Sequence, residues 1–121
     1  MTERFSLRAR LASFRYAGMG LVTLLREQHN SRIHLFATVA VVGLGAWLGL
    51  TRQEWVLLLL AMALVWIAEA LNTALEYLAD AAMPERNPLV GKAKDVAAAA
   101  VLIAAGVAAV IGCLLFLPRL L

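Results

Sequence analysis

Apolar residues in this chain fall into three long blocks, and the polar ones gather at the block ends. The first block, IHLFATVAVVGLGAWLGL at 33–50, is broken only by His34 and Thr38. The second opens at Trp55, stays free of charge as far as Glu69 and closes near Asp80. The third, VAAAAVLIAAGVAAVIGCLLFL at 96–117, carries no charge. A helix needs about 20 residues to cross the hydrocarbon layer of a bilayer, so the blocks predict spans over about 33–50, 55–80 and 96–117. TRQE at 51–54 and AAMPERNPLVGKAKD at 81–95 are the predicted connectors, with Pro84, Pro88 and Gly91 breaking the helix in the second.

Ahead of the first span the pattern changes. At about 100° per residue, Arg4, Arg8, Arg15 and Arg26 lie within about 40° of one another, and Leu7, Leu11, Phe14, Leu21 and Leu25 fill a neighbouring arc. A basic stripe beside an apolar one is how a helix rests on anionic headgroups. Residues about 5–30 therefore predict an interfacial amphipathic helix, weakened at Gly18 and Gly20. The fold expected is an all-α membrane protein, one domain over 1–121, with a surface helix and three transmembrane helices.

Composition agrees. The chain is 63% hydrophobic and 16% charged, with mean hydropathy +0.82, whereas soluble domains carry about 25% charged residues. Its net charge of +3 would suit nucleic acid or anionic lipid; the apolar content favours lipid, and no nucleic-acid partner is expected. The first twenty residues lack the compact apolar core of a signal peptide. The lone Cys113 forms no disulfide framework and reads as a buried structural thiol. Nine of the eleven Lys and Arg precede the first span or lie between the second and third; only Arg52 and Arg119 fall opposite. Such a bias predicts a bacterial inner-membrane protein with amino terminus and long connector in the cytoplasm and carboxyl terminus outside. Trp47 and Trp55, flanking the outer turn, and Trp66 read as anchors.

The chemistry concentrates in AEALNTALEYLAD at 68–80. Taking Glu69 as zero, Asn72, Thr73, Glu76 and Asp80 all fall on one face about 100° wide, while Leu71, Leu75 and Leu78 lie elsewhere. Glu69 sits roughly 10 Å deeper than Glu76. An ionised carboxylate at such depth costs at least about 2.5 kcal/mol, so the stripe should face water or a partner rather than lipid. In GKAKDVAAAAV, Lys94 offers a counter-charge for phosphate, and Asp95 can cap the third span or orient a lysine. Carboxylates for Mg²⁺, a lysine for phosphate and a deeper carboxylate as proton acceptor are the parts phosphoryl transfer uses.

EALNTALEYLAD followed by GKAKDVAAAAVLIA resembles the signature of the prokaryotic diacylglycerol kinase family, which includes undecaprenol kinases. The resemblance covers nearly the whole chain. It implies a homotrimer that uses Mg-ATP, with Glu69 as general base on the hydroxyl of a lipid alcohol and Asn72 at the lipid headgroup. Glu76 would bind metal and nucleotide, and Tyr16, Glu85, Asn87, Lys94 and Asp95 would border the nucleotide. Where the family usually places a second metal-binding glutamate, this chain has Gln28, with Glu27 one residue earlier. On a rigid helix that step is about 100°, so Glu27 cannot simply replace it; Gln28 can coordinate through its carbonyl oxygen, and weaker Mg²⁺ affinity or a local register adjustment is the expected result. HNSRIHL, QEWVLLLL and FLPRLL look more like the undecaprenol kinase branch, with His34 structural and interfacial. Small residues in the third span, and GAWLG in the first, allow close helix approach.

A membrane subunit translocating ions or protons is the alternative. It would use Glu69, but leaves Glu76, Asp80 and the Lys94–Asp95 pair without a role. A purely structural membrane protein leaves the whole stripe unexplained.

Overall fold

Ser6 starts the first helix by accepting a hydrogen bond on its hydroxyl from the Ala9 N–H at 3.3 Å. From there the computed structural model, which describes residues 4–121, runs as four helices: α1 over Leu7–Glu27, α2 over His29–Leu48, α3 over Arg52–Ala82 and α4 over Pro88–Leu120.

The predicted surface helix is shorter than 5–30. Gln28 leaves helical geometry (φ −111°, ψ 114°) and forms the corner between α1 and α2. Arg32 fastens that corner, its guanidinium donating to the carbonyls of Leu25 at 3.0 Å and Arg26 at 2.5 Å. A cation on the last carbonyls of a helix satisfies groups that have no partner within it. Leu24 and Ser31 are buried beside it, whereas Leu7, Leu11, Phe14 and Leu21 of α1 remain exposed, as a face resting on acyl chains would be.

The opposite turn is short because both its ends are capped. Gly49 takes the left-handed conformation (φ 72°) that closes α2, and the Leu50 N–H returns to the Gly45 carbonyl at 3.2 Å. Thr51 and Glu54 then form a reciprocal capping box that starts α3, so most of the expected connector TRQE is already helix. Gly45 lets the Leu50 side chain and the Trp55 ring lie on α2; a Cβ there would meet them at 2.9 and 3.0 Å. Trp55 is thus packed inward, and only the exposed Trp47 remains where a belt residue would be.

The second connector also shrinks, from 81–95 to 83–87. Asn87 caps α4, its side-chain oxygen accepting from the Leu89 and Val90 N–H groups at 2.9 and 3.3 Å, and Pro88 occupies the first helical position, where a missing N–H costs nothing. Asp95 therefore does not cap; it lies two turns inside. Pro88 begins the helix rather than ending one, and Gly91 is helical.

α2, α3 and α4 are each long and apolar enough to cross a membrane. At 1.5 Å per residue α3 and α4 run about 46 and 50 Å, beyond the roughly 30 Å of hydrocarbon. They pack along one another as an antiparallel hairpin, with lighter contact between α2 and α3 and at the α1–α2 corner. The largest buried apolar cluster sits at the α2–α3 turn end, Leu50, Leu58 and Phe116 with Leu44, Trp55 and Met62 against them, and Ala61 and Val65 continue the buried line along α3. Arg119 closes that end by pairing with Glu54 and reaching the Leu48 carbonyl at 3.5 Å. Elsewhere large apolar side chains face outward, Trp47 at 77% and Leu102 at 74% exposure. Cys113 is likewise exposed, not buried, because its position on α4 turns it out of the small core.

Candidate active site

The stripe on α3 forms as its periodicity requires. Leu71 and Leu78 point outward while Glu69 and Thr73 are buried, Asn72 and Glu76 half-buried and Asp80 exposed. Polarity therefore grades from the interior to the surface along one helix face. Glu69 is only 2% exposed, and among the described residues four buried side-chain atoms have no hydrogen-bond partner: Ser31 Oγ on α2, and Glu69 Oε2, Asn72 Oδ1 and Thr73 Oγ1 on α3. Buried polar groups are nearly always paired, so three unpaired ones along one face of α3 single out that face as the candidate site.

The group nearest to Glu69 comes from α2. His34 Nε2 stands 3.5 Å from Glu69 Oε2, within ion-pair range and longer than a hydrogen bond. His34 also stands edge-on to Trp66, ring centroids 6.3 Å apart and planes at 66°. Trp66 Nε1 donates to Thr38 Oγ1 at 3.0 Å, and that hydroxyl donates to the His34 carbonyl at 2.7 Å. Trp66 is therefore held inside the bundle rather than serving as an interfacial anchor. The motif HNSRIHL reads His34 as structural and interfacial; sequence alone does not show that α2 brings this ring to the buried carboxylate.

At the other end of the stripe, α1 and α4 converge. Tyr77, next to Glu76, donates its hydroxyl to Glu27 Oε2 at 2.8 Å and accepts from Gln28 Nε2 at 3.3 Å. The rigid-helix argument against Glu27 does not hold, because α1 ends at Glu27 and one phenol binds both side chains. Lys94 Nζ pairs with Asp80 Oδ1 at 2.5 Å, bringing the start of α4 against the end of the stripe. Tyr16 and Asp95 are exposed, Glu85 is exposed in the connector, and the Asn87 side-chain oxygen is engaged in capping. The fold does not join these four to the stripe through any side-chain hydrogen bond.

Two apolar hollows flank the stripe. One, about 440 Å³, begins at His34, Thr38 and Trp66 and continues between α2, α3 and α4 past Ala109 and Cys113 to Phe116. The other, about 490 Å³, lies between the small residues Ala17 and Gly20 of α1 and Ala70, Thr73 and Ala74 of α3. Glu69 lines neither hollow, but His34, 3.5 Å from it, opens the first, and an apolar hollow beginning beside a buried acid suits an amphiphile whose polar end must react.

The sequence pattern described as prokaryotic diacylglycerol kinase matches residues 15–116, nearly the whole of this architecture. The chain belongs to that family. Among the family's named members, it is 37% identical to the undecaprenol kinase of Bacillus subtilis over 89% of this chain and 88% of that enzyme. It is 44% identical to the diacylglycerol kinase of Synechocystis sp., covering 92% of this chain but only 64% of that protein's length. Against the diacylglycerol kinase of Escherichia coli the identity is 40%, over 83% and 82% of the two chains. Family membership disfavours an ion-translocating subunit and a purely structural protein.

Metal chemistry in such kinases can be tested against the donors present. Among the described residues no three His, Cys, Asp or Glu side chains come together as a cage. Mg²⁺ does not need one: it is usually bound by one or two carboxylates together with substrate phosphates. Glu27 through its carboxylate and Gln28 through its amide nitrogen are both bonded to Tyr77, the residue after Glu76; the two carboxylates and the free amide oxygen of Gln28 are hard donors of the right kind, so the chemistry of the donor set fits.

Proposed function

We propose that this chain transfers the γ-phosphoryl group of ATP to the hydroxyl of a membrane lipid alcohol, undecaprenol or diacylglycerol, giving undecaprenyl phosphate or phosphatidic acid. The observation that carries this reading is the buried Glu69 at the head of a polar stripe that ends at the Asp80–Lys94 pair, in a family with named lipid kinases.

The lipid hydroxyl lies against Glu69, with Asn72 beside the headgroup and the apolar tail in the hollow that starts at His34. Glu69 accepts the hydroxyl proton as that oxygen forms its bond to the γ-phosphorus. The bond from the γ-phosphorus to the β–γ bridging oxygen breaks, and ADP leaves. Lys94 offers its ammonium to the phosphates, exchanging Asp80 for them; Tyr16, Glu85, Asn87 and Asp95 border the nucleotide. Glu76, with Gln28 or Glu27, would hold Mg²⁺, which would supply charge neutralisation for the phosphates. Since α3 and α4 outrun the hydrocarbon, Glu76 and Lys94 lie at the level of water while Glu69 remains at the level of the lipid hydroxyl.

The same reading places α1 and the α3–α4 connector in the cytoplasm, following the cation bias. It takes as the active unit the homotrimer that the family resemblance implies, with the small residues of α4, Gly106 and Gly112 among them, as a place where another copy would approach.

The test is radiolabelled ATP with the detergent-solubilised protein, offered undecaprenol and diacylglycerol side by side. Label should pass to at least one lipid, and Glu69→Gln should lower kcat by about 10²–10⁴-fold. A Glu69→Gln enzyme turning over at near the parent rate removes Glu69 as the base.

A further inference from the structure

Glu69 cannot hold itself in place. Its Oε2 is buried without a hydrogen-bond partner, and a carboxylate swinging between rotamers presents its lone pair to the lipid hydroxyl only part of the time. Efficient proton abstraction needs the base within about 3 Å of the proton it takes. Among the described residues, the side chain of another helix within ion-pair range of that oxygen is His34, whose Nε2 lies 3.5 Å away.

His34 is itself well located. Two elements fix it: Thr38, one turn along α2, accepts from Trp66 Nε1 and donates to the His34 carbonyl, and the Trp66 ring stands edge-on to the imidazole. Trp66 precedes Glu69 by three residues, so both lie on nearly the same face of α3. His34 and Thr38 are four apart and share a face of α2. The result is a closed arrangement in which α2 grips α3 by Thr38–Trp66 and presents an imidazole to the carboxylate one turn away. The ring is 21% exposed and the carboxylate 2%, so His34 lies at the mouth and Glu69 behind it.

We infer that His34 is a positioning residue for the reaction: its Nε2–H holds one oxygen of Glu69 so that the carboxylate faces the incoming lipid hydroxyl. The inference rests on Glu69 being the base. Contacts of this kind are often long in the free enzyme and shorten when substrate binds, which closes the half ångström or so that separates 3.5 Å from a hydrogen bond. His34 moves no proton to or from the substrate and touches no nucleotide, so its loss should affect turnover and not ATP binding.

The experiment measures kcat and KM for MgATP and for the lipid alcohol, in full-length protein in mixed micelles. His34→Leu should lower kcat by about 10- to 100-fold, the range typical when a hydrogen bond orienting a reactive group is lost, with KM for MgATP unchanged. His34→Gln should recover most of that loss, since its amide nitrogen reaches the place of Nε2. His34→Asn, whose amide reaches only the place of Nδ1, should not. If His34→Leu fails to assemble, the Gln and Asn variants decide between themselves. In a Glu69→Gln background, His34→Leu should cost nothing further, because two residues that act as one unit do not add. Parent-like kcat in His34→Leu or His34→Asn, with Glu69→Gln inactive, overturns the inference and leaves the kinase reading intact. Additive losses in the double variant overturn it as well. Full activity in Glu69→Gln removes both.

Discussion

Ser31, Glu69, Asn72 and Thr73 each hide a polar atom that finds no partner, which is an expensive way to build a helix interface. Replacing such a group by an apolar one of the same shape is often neutral or stabilising, and sites that trade stability for activity behave in this way. Thr73→Val should therefore leave the thermal midpoint in detergent unchanged or raised while lowering kinase turnover. A lower midpoint would mean that the hydroxyl serves the fold. Gln28 invites the complementary experiment. Gln28→Glu adds a charge beside the donors of Glu27 and Glu76, and the Mg²⁺ concentration for half-maximal activity should fall several-fold. An unchanged requirement shows that position 28 does not touch the metal. The residues on α3 were legible in the sequence because one helix has one period, and burial followed it at Glu69 and Thr73. The pairing of His34 with Glu69, and of Tyr77 with Glu27 and Gln28, depends on how separate helices line up, and no single period carries that.

Helix ends decide the elements, and here chemistry overruled hydropathy. The apolar blocks marked three spans correctly, yet each is longer in the structure because polar first turns are helical too. Thr51 with Glu54 and Asn87 with Pro88 start their helices inside what read as loops, and Lys94 and Asp95 are carried as helical residues rather than loop residues. Gln28 did the reverse, ending α1 early. The α2–α3 turn, three residues at 49–51, is the junction packed against the apolar core. A side chain at Gly45 must displace Leu50 and Trp55, and overpacking of this sort costs about 1–3 kcal/mol. The gain in helix propensity over glycine is below about 1 kcal/mol, so it does not compensate. Gly45→Val should unfold at a lower temperature and, being far from Glu69, should leave KM for MgATP unaltered in the folded fraction. A midpoint equal to the parent's would show that the turn repacks freely.

For the molecule as a whole, cation bias and the positions of the ends make one orientation testable. In a Cys113→Ala background, Glu85→Cys should resist a membrane-impermeant maleimide added to intact cells, and Arg52→Cys should react. The opposite pattern inverts the topology and puts Lys94 on the wrong face for cytoplasmic ATP. Apolar exposure of Trp47 and Leu102 was implicit in the composition, because a chain this apolar cannot bury its surface in itself. Which of those side chains meet lipid and which meet another copy was not legible, since periodicity marks an apolar face without naming its neighbour. What the fold does show is an uneven distribution of strength. Arg119 grips Glu54 and the Leu48 carbonyl at one rim, with Leu58 and Phe116 packed just above, whereas the rim bearing Glu76 is tied by exposed polar contacts, Lys94 with Asp80 and Tyr77 with Glu27 and Gln28. Apolar packing holds the far rim and exposed polar contacts the near one, so denaturant or heat should loosen the phosphate-bearing end before the Arg119 end.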